Sequence, residues 1–174
     1  MKEMIRYGFI LALICTVASG LLAGVYTFTK GRIIAQALAE EEASLKEVLP
    51  DAQHFEAVRI GDEIAYYKAH NKDGRLIGVA FKAQGKGYSS TVETMVGMLT
   101  DGEITAIKVI SQNETPGLGV RVVEPSFTGQ FGKRKIDEID GVQAITGATI
   151  SSRAVIDSVK TKALEIKERI KNES

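Results

Sequence analysis

The chain has 174 residues, of which 22 are lysine or arginine and 22 are aspartate or glutamate. This balance excludes a typical nucleic-acid-binding protein, because such proteins carry excess positive charge that neutralises phosphates. Its single cysteine, Cys15, excludes an internal disulfide. The two histidines, His54 and His70, have no nearby cysteine and match no zinc-binding spacing, so we expect no metal site.

The most apolar part of the chain is residues 7–29, YGFILALICTVASGLLAGVYTFT, which contains no charged residue. A helix of this length reaches about 34 Å, against a hydrocarbon core of about 30 Å. A cleaved signal peptide is the alternative, because Ala18-Ser19-Gly20 resembles a cleavage site. The apolar run of a signal peptide usually stops at about 7–15 residues, so we predict an uncleaved transmembrane anchor over residues 1–30.

The basic residues that flank this segment give a weak signal for its orientation. Lys2 and Arg6 precede the apolar run, and Lys30 and Arg32 follow it. Together with the terminal amine they favour the N-terminus inside. We therefore expect a single-pass protein of the cell (inner) membrane whose soluble domain is extracytoplasmic.

Two further regions follow the anchor. Residues 31–50 are rich in helix-forming residues and close with Pro50, which predicts a juxtamembrane helix. From residue 51 to 174 the pattern is that of a separate soluble domain. Between residues 55 and 112 short apolar runs alternate with turn signals, of which Asp101-Gly102 is the clearest, and this predicts four or five antiparallel strands joined by hairpins.

The end of the chain predicts an amphipathic helix from about Ser152 to Lys171. Its apolar stripe should pack on the sheet, with lysine and glutamate opposite. The members of the stripe are Val155, Val159, Ala163, Ile166 and Ile170. The fold class is therefore α+β: an N-terminal transmembrane helix, then an antiparallel sheet packed with helices that include this C-terminal one.

The segment ETPGLG, residues 114–119, follows directly on the last predicted strand. Pro116 fixes φ, and Gly117 and Gly119 carry no side chain, so the backbone could approach a flat ligand or offer amides to an anion. An ordinary strand-to-helix turn has the same composition.

A second segment, AITGATISS at residues 144–152, runs directly into the C-terminal helix. The unpaired amides of a helix N-terminus favour a phosphate, and Gly147 and Ala148 leave space for one. Ordinary capping by Ser151 or Ser152 explains the hydroxyl groups equally well.

In this order and behind an anchor, the two segments resemble those of the FMN-binding subunits of ion-translocating electron-transport complexes, in particular the G subunit of the Rnf complex. The resemblance covers nearly the whole chain and includes LKEVLP at 45–50, GKGY at 85–88, Phe127 and Gln130-Phe131. It implies an electron-carrier subunit that takes part in ferredoxin:NAD electron transfer coupled to ion translocation, with the other complex subunits as partners and without a catalytic residue of its own.

The resemblance also implies the cofactor site. In that family a flavin transferase joins FMN through its phosphate to the last threonine of the [ST]GAT motif, which is Thr149 here. Lys86 and Tyr88 are weaker candidates for the site. The expected cofactor-binding residues are Thr149, Thr146, Gly147, Ala148, Glu114, Thr115, Gly117, Leu118 and Gly119. From their chemistry we expect a hydrogen bond from Thr115, apolar contact from Leu118, and from Glu114 either a bond to the ribityl hydroxyls or positioning of its loop.

Two positions depart from the family pattern. Gln143 stands where family members commonly carry aspartate, six residues before the modified threonine, and Asp140 is the nearest possible substitute. Gln112 and Asn113 occupy the position before ETPGLG, where relatives often have histidine, which argues against proton transfer by an imidazole.

Two alternative functions remain at this stage. One is the C subunit of the Na⁺-translocating NADH:quinone reductase, which shares the motif and the anchor but is typically longer. The other is a membrane-tethered module that binds flavin reversibly or holds partner subunits.

Overall fold

A single unbroken helix, α1 (Lys2–Val48), begins the computed structural model, which describes residues 2–173. It contains an 18-residue window of mean hydropathy 2.3, none of it buried, and is long and apolar enough to cross a membrane. The chain divides into two compact units, one ending at Glu41 and one beginning at Glu42. The helix continues without a break through residue 30, where we predicted the boundary between the anchor and the juxtamembrane helix. It ends two residues before Pro50, as expected. Met1 and Ser174, at the outer limits of the predicted domains, lie outside the described residues.

The second unit is built on an antiparallel sheet in which each strand pairs with the next along the chain. Its strands are β1 (His54–Ile60), β2 (Glu63–His70), β3 (Leu76–Lys86), β4 (Thr91–Leu99), β5 (Glu103–Ser111) and β6 (Arg134–Lys135). The five long strands confirm the prediction. The sixth pairs with β5 but has only two residues, which is too short for a periodic pattern to reveal it.

The turn at Asp101-Gly102 joins β4 to β5, as predicted, but its geometry differs from a two-residue primed turn. Gly102 has φ 92°, whereas Asp101 is not among the described residues with positive φ. The amide of Gly102 donates to the carbonyl of Leu99 at 3.0 Å, and the connection includes Thr100 as a third residue. One positive φ is enough for this longer loop, so only the glycine is required to adopt it.

The C-terminal helix α3 (Thr149–Glu173) covers one face of the sheet. Four members of the predicted stripe, Val155, Val159, Ala163 and Ile166, are fully buried in this core, and Ile170 packs against its edge. Burial of each large aliphatic side chain contributes about 1.5–3 kcal/mol to folding. The predicted packing of this helix on the sheet is confirmed.

The opposite face of the sheet is covered by the last turns of α1, which the sequence did not predict. Leu45 and Val48 of α1, with Leu49 directly after it, pack there in a second apolar cluster with Met95 of β4. The hydroxyl of Thr105 on β5 donates to the carbonyl of Val48 at 2.5 Å and so satisfies one of the unpaired carbonyls at the helix end. The sheet is thus buried on both faces.

Short helical segments connect β5 to α3. They are the 3₁₀ helix Gly119–Val123, helix α2 (Pro125–Thr128) and the 3₁₀ helix Ile136–Gly141. Phe127 and Phe131 anchor this connection in the core, with their rings edge to face at 5.5 Å. The connection therefore fixes the residues that precede α3 against the end of the sheet.

Candidate functional site

A cleft of about 480 Å³ lies at the N-terminal end of α3. Three segments that are distant in sequence line it: the β3–β4 turn, the ETPGLG segment and the start of α3. The lining residues are Tyr88, Glu114, Thr115, Leu118, Gly119, Gly147, Ala148, Thr149, Ile150 and Ser151. The structure thus brings together most of the predicted site residues.

Three predicted residues are not part of this lining. Thr146 and Gly117 are exposed and adjoin the cleft in sequence. Lys86 lines a separate groove between β3 and α3. Two lining residues were not predicted, Ile150 and Ser151; their position directly after the TGAT motif was the available signal.

Helix α3 begins at Thr149, three residues before the predicted start. The chain reversal before it is made by Gly147, with φ 82°, and by a hydrogen bond from the amide of Ala148 to the carbonyl of Ile145. Neither Ser151 nor Ser152 is therefore the N-cap, contrary to the alternative considered from the sequence. The flanking position belongs to Ala148, whose methyl group cannot accept a hydrogen bond.

This start leaves the first amides of α3 without a capping side chain. The earliest bond of the helical pattern runs from the amide of Ser152 to the carbonyl of Ala148 at 2.9 Å. The amides of Thr149, Ile150 and Ser151 precede that bond and have no intrahelical carbonyl to reach. They face a lined cleft at the positive end of a 25-residue helix.

The rim of the cleft is apolar and accessible. Tyr88, Leu118 and Ile150 are 72%, 47% and 55% exposed, respectively, although each is a large hydrophobic side chain. Thr149 is also an exposed residue. Exposed apolar side chains that border amide donors are typical of a site for a ligand with both a flat apolar part and an anionic part.

Glu114 is the one acidic residue of this lining and is only 5% exposed. Its Oε1 accepts from the amides of Ser89 and Ser90 at 3.1 and 2.9 Å. Its Oε2 accepts from the amide of Tyr88 at 3.2 Å and from Ser151 Oγ at 2.7 Å. These contacts favour positioning of the loop, the second of the two roles expected for this residue.

The ionisation of Glu114 follows from these contacts. Burial raises the pKa of its carboxyl, but the hydrogen bonds from Ser151 and from the amides of Ser90, Ser89 and Tyr88 lower it by more. The pKa therefore lies below its ordinary value of 4.5. The residue is a buried carboxylate at neutral pH, and its charge is held by donors rather than by a cation.

Side-chain bonds also fix the entry to the ETPGLG segment. The amide of Glu114 donates to Gln112 Oε1 at 2.8 Å, and the amide of Asn113 donates to Ser90 Oγ at 2.7 Å. The hydroxyls of Thr115 and Ser89 are 3.3 Å apart. Gln112 therefore has a local structural role in holding the start of this segment.

The segment that leads into α3 is held by Gln130. Its Oε1 accepts from the amide of Gln143 at 2.9 Å, and its Nε2 donates to the carbonyl of Gln143 at 3.4 Å. The side chain of Gln143 itself is exposed.

Asp140, the possible substitute for the missing aspartate, pairs instead with Lys160, which lies about 16 Å along α3 from Thr149. Asp140 is therefore directed away from the cleft.

Comparison with known proteins gives two family matches. Residues 87–164 match the model of the FMN-binding domain, and residues 1–48 match that of the RnfG N-terminal region. The first includes the whole lining of the cleft, and the second includes α1.

Three known proteins are similar to this chain over most of their length. The G subunit of the ion-translocating oxidoreductase complex of Methanosarcina acetivorans is 31% identical, over 91% of this chain and 92% of that protein. The G subunit of the Na⁺-translocating ferredoxin:NAD⁺ oxidoreductase complex of Acetobacterium woodii is 34% identical, over 91% and 89%. The corresponding subunit of the proton-translocating complex of Clostridium ljungdahlii is 30% identical, over 86% and 84%.

Among solved structures, the crystal structure of NqrC from Shewanella oneidensis has a similar fold. It matches with a TM-score of 0.51 and 18% identity, over 70% of this chain and 74% of that chain. At this identity the likeness concerns the fold alone, and it agrees with the mixed α+β architecture.

Proposed function

This chain belongs to the G subunits of ion-translocating oxidoreductase complexes, and we propose that it carries electrons by means of FMN attached through its phosphate to Thr149. Membership of the family supports the general function: the chain is a redox subunit of such a membrane complex, its FMN-binding domain takes FMN, and the other subunits are its partners. The attachment to Thr149 is the proposed part.

The residues of the cleft fit FMN. The uncapped amides of Thr149, Ile150 and Ser151 offer donors to a phosphate at the positive end of α3. Leu118 and Tyr88 offer apolar surface for a ring system, and the volume of about 480 Å³ lies in the ordinary range for small-molecule sites. The observation that carries the proposal is the exposed Thr149 in the lining of the cleft, at the first of these amides.

The proposed attachment is a phosphoryl transfer that needs a flavin transferase as a maturation partner. The phosphoanhydride bond of a flavin dinucleotide breaks, the bond from the FMN phosphorus to Thr149 Oγ1 forms, and the nucleoside monophosphate leaves with the proton of the hydroxyl. The net gain is one FMN less one water. A covalent link replaces a binding equilibrium with a permanently high effective concentration, which prevents loss of the cofactor outside the cytoplasm.

Bound FMN supplies one- and two-electron redox chemistry, and the protein supplies position and access. Thr115 and Leu118 line the cleft and would orient the ring, while the amides at the start of α3 would hold the phosphate. The apolar segment 7–29 has no ionisable residue of the usual ion-pathway kind, so ion movement belongs to the partner subunits. From the names of the clostridial and Acetobacterium relatives we infer a complex that links ferredoxin and NAD⁺. The basic residues that flank the anchor favour a soluble domain outside the cytoplasm.

The test is the intact mass and in-gel flavin fluorescence of the denatured chain after co-expression with a flavin transferase. We expect a gain of one FMN less one water in the native chain, no gain in Thr149→Val, and partial loading in Thr146→Val. Equal loading of Thr149→Val would overturn the site. Flavin that is released on denaturation would instead support a reversible module.

A further inference from the structure

We propose that Glu114 is a positioning residue: its carboxylate fills a second anion site in the wall of the cleft, leaving the amides of α3 as the phosphate site. The expected effect of Glu114 on flavin loading rests on the proposed function, but the internal anion site can be tested without flavin. It concerns the amides of Tyr88, Ser89 and Ser90, here called the 88–90 amides.

The 88–90 amides form a cluster of donors that converges on one point. All three donate to the carboxylate of Glu114, at 3.2, 3.1 and 2.9 Å. Successive backbone amides that converge in a turn form a concavity with affinity for anions. Without Glu114 this turn would offer a phosphate a site comparable to that at the start of α3.

The fit around the carboxylate is too close for a bound ion to share the site. A Cβ built on Gly87 would lie 2.4 Å from Glu114 Oε1, and one built on Gly119 would lie 2.7 Å from Oε2. Both contacts are shorter than side-chain carbons tolerate, so the chain needs glycine at both positions. The carboxylate is thus enclosed by backbone as a specific internal ligand.

A donor from α3 connects this internal anion to the acceptor threonine. Ser151 Oγ donates to Oε2 at 2.7 Å, and Ser151 lies two residues after Thr149 in the first turn of α3. A single buried charge therefore holds the β3–β4 turn, the ETPGLG segment and the first turn of α3 together. The orientation of Thr149 relative to Tyr88 and Leu118 depends on it.

Replacement of Glu114 by alanine separates the role of the charge from that of the side-chain volume. Glu114→Ala leaves a space of the size of acetate or acetamide. Acetate would restore a carboxylate there, whereas acetamide would fill the same volume without a charge. In the unmodified chain we expect acetate near neutral pH to raise the melting temperature of Glu114→Ala, while acetamide does not. Glu93→Ala, which removes a half-buried carboxylate that bonds Gln84, is the matched control and should respond to neither.

Equal responses to acetate and acetamide, or none, would overturn the internal anion site. If Glu114→Ala does not fold, Glu114→Gln removes the charge at nearly the same volume. Amide hydrogen exchange in this variant then tests whether the charge holds the 88–90 amides. We expect exchange of the 88–90 amides to rise about tenfold or more, because hydrogen bonds to charged groups are stronger than neutral ones. Unchanged exchange there would overturn the proposal.

The consequence for the cofactor is tested on the same variants with a flavin transferase. We expect Glu114→Ala to be loaded about tenfold more slowly than the native chain and acetate to restore the rate. Loading of Glu114→Ala at the native rate would overturn the positioning role. A native chain that takes up no FMN would overturn the proposed function and leave the anion-site experiments valid.

Discussion

Ser151 and Glu114 are joined by a buried hydrogen bond of 2.7 Å, although 37 residues separate them in the chain. The hydroxyl is the donor and Oε2 of the carboxylate is the acceptor. This bond connects the first turn of α3 to the ETPGLG segment, and so joins the two motifs that the sequence presents separately. Several properties of the site depend on it.

Ser151→Ala should destabilise the fold by about 1.5–3 kcal/mol, because a buried carboxylate loses a donor. Ser158→Ala, which removes a half-buried hydroxyl that donates to the carbonyl of Val155, is the matched control and should cost less. Denaturant unfolding of both variants against the native chain measures the difference. Equal losses in the free energy of unfolding of the two variants would show that the Ser151–Glu114 bond contributes no more than an ordinary serine hydrogen bond.

The same contact gives the stability a defined dependence on pH. The pKa of Glu114 is lower in the folded chain than its ordinary value of 4.5, so the folded state binds this proton less readily. Its contribution is therefore fully present above that value and is lost as the pH falls through the folded pKa. Without the Ser151 donor the folded pKa lies higher, which reduces its separation below the unfolded value, so the acid-induced loss of stability that Glu114 causes should be smaller in Ser151→Ala than in the native chain. Unfolding curves at several pH values check this, and parallel curves would contradict it.

Leu118→Asp should change the flavin absorption spectrum while leaving the covalent link intact. The side chain is 47% exposed and lines the cleft, and a charge there replaces apolar surface at the expected ring position. Val123→Asp is the control, because Val123 is similarly exposed and lies outside the lining. An unchanged spectrum in a fully loaded Leu118→Asp chain would remove Leu118 from the ring environment.

Gln143→Asp should accelerate flavin attachment without changing stability by more than about 0.5 kcal/mol. The side chain is exposed, and the contacts with Gln130 involve only the backbone of Gln143. The change introduces the carboxylate that the family resemblance leads us to expect at this position. Initial rates of mass gain, beside those of Gln143→Asn, measure the effect. A rate equal to that of the native chain would show that the carboxylate does not assist attachment here.

Gln130→Ala should slow attachment and destabilise the fold by about 1–3 kcal/mol, because the amide and carbonyl of Gln143 lose their partners. The segment that leads to Thr149 then has fewer restraints. Gln53→Ala, at an exposed glutamine before β1, is the control. Mass gain over time and denaturant unfolding provide the two measurements, and native values for both would exclude a positioning effect of Gln130.

The sequence predicted those parts of the fold that local patterns determine. The apolar stripe of α3 repeats with the period of a helix, and the strands before residue 112 are separated by glycine-containing turns. The two cofactor motifs were likewise visible as unusual runs of small residues. The structure adds that both line one cleft, which no local pattern could establish.

Other features depend on contacts between distant residues and were missed for that reason. The last turns of α1 lie in a charged segment, and only the presence of the sheet reveals that Leu45, Val48 and Leu49 have an apolar face to cover. The inward direction of Glu114 is set by amides some 25 positions earlier. The early start of α3 follows from the positive φ of Gly147, which the sequence permits but does not require.

The alanine that flanks the start of α3 has a consequence for maturation. Most helices of this length begin with a side chain that accepts hydrogen bonds from the first amides, and Ala148 provides none. A phosphodiester on Thr149 would place acceptor oxygens where such a side chain normally acts. Modification should then strengthen the fold as well as add a redox group, by about 0.5–2 kcal/mol for a missing cap. A chain that has not received its flavin would be the less heat-resistant form, so a cell could distinguish it by proteolysis.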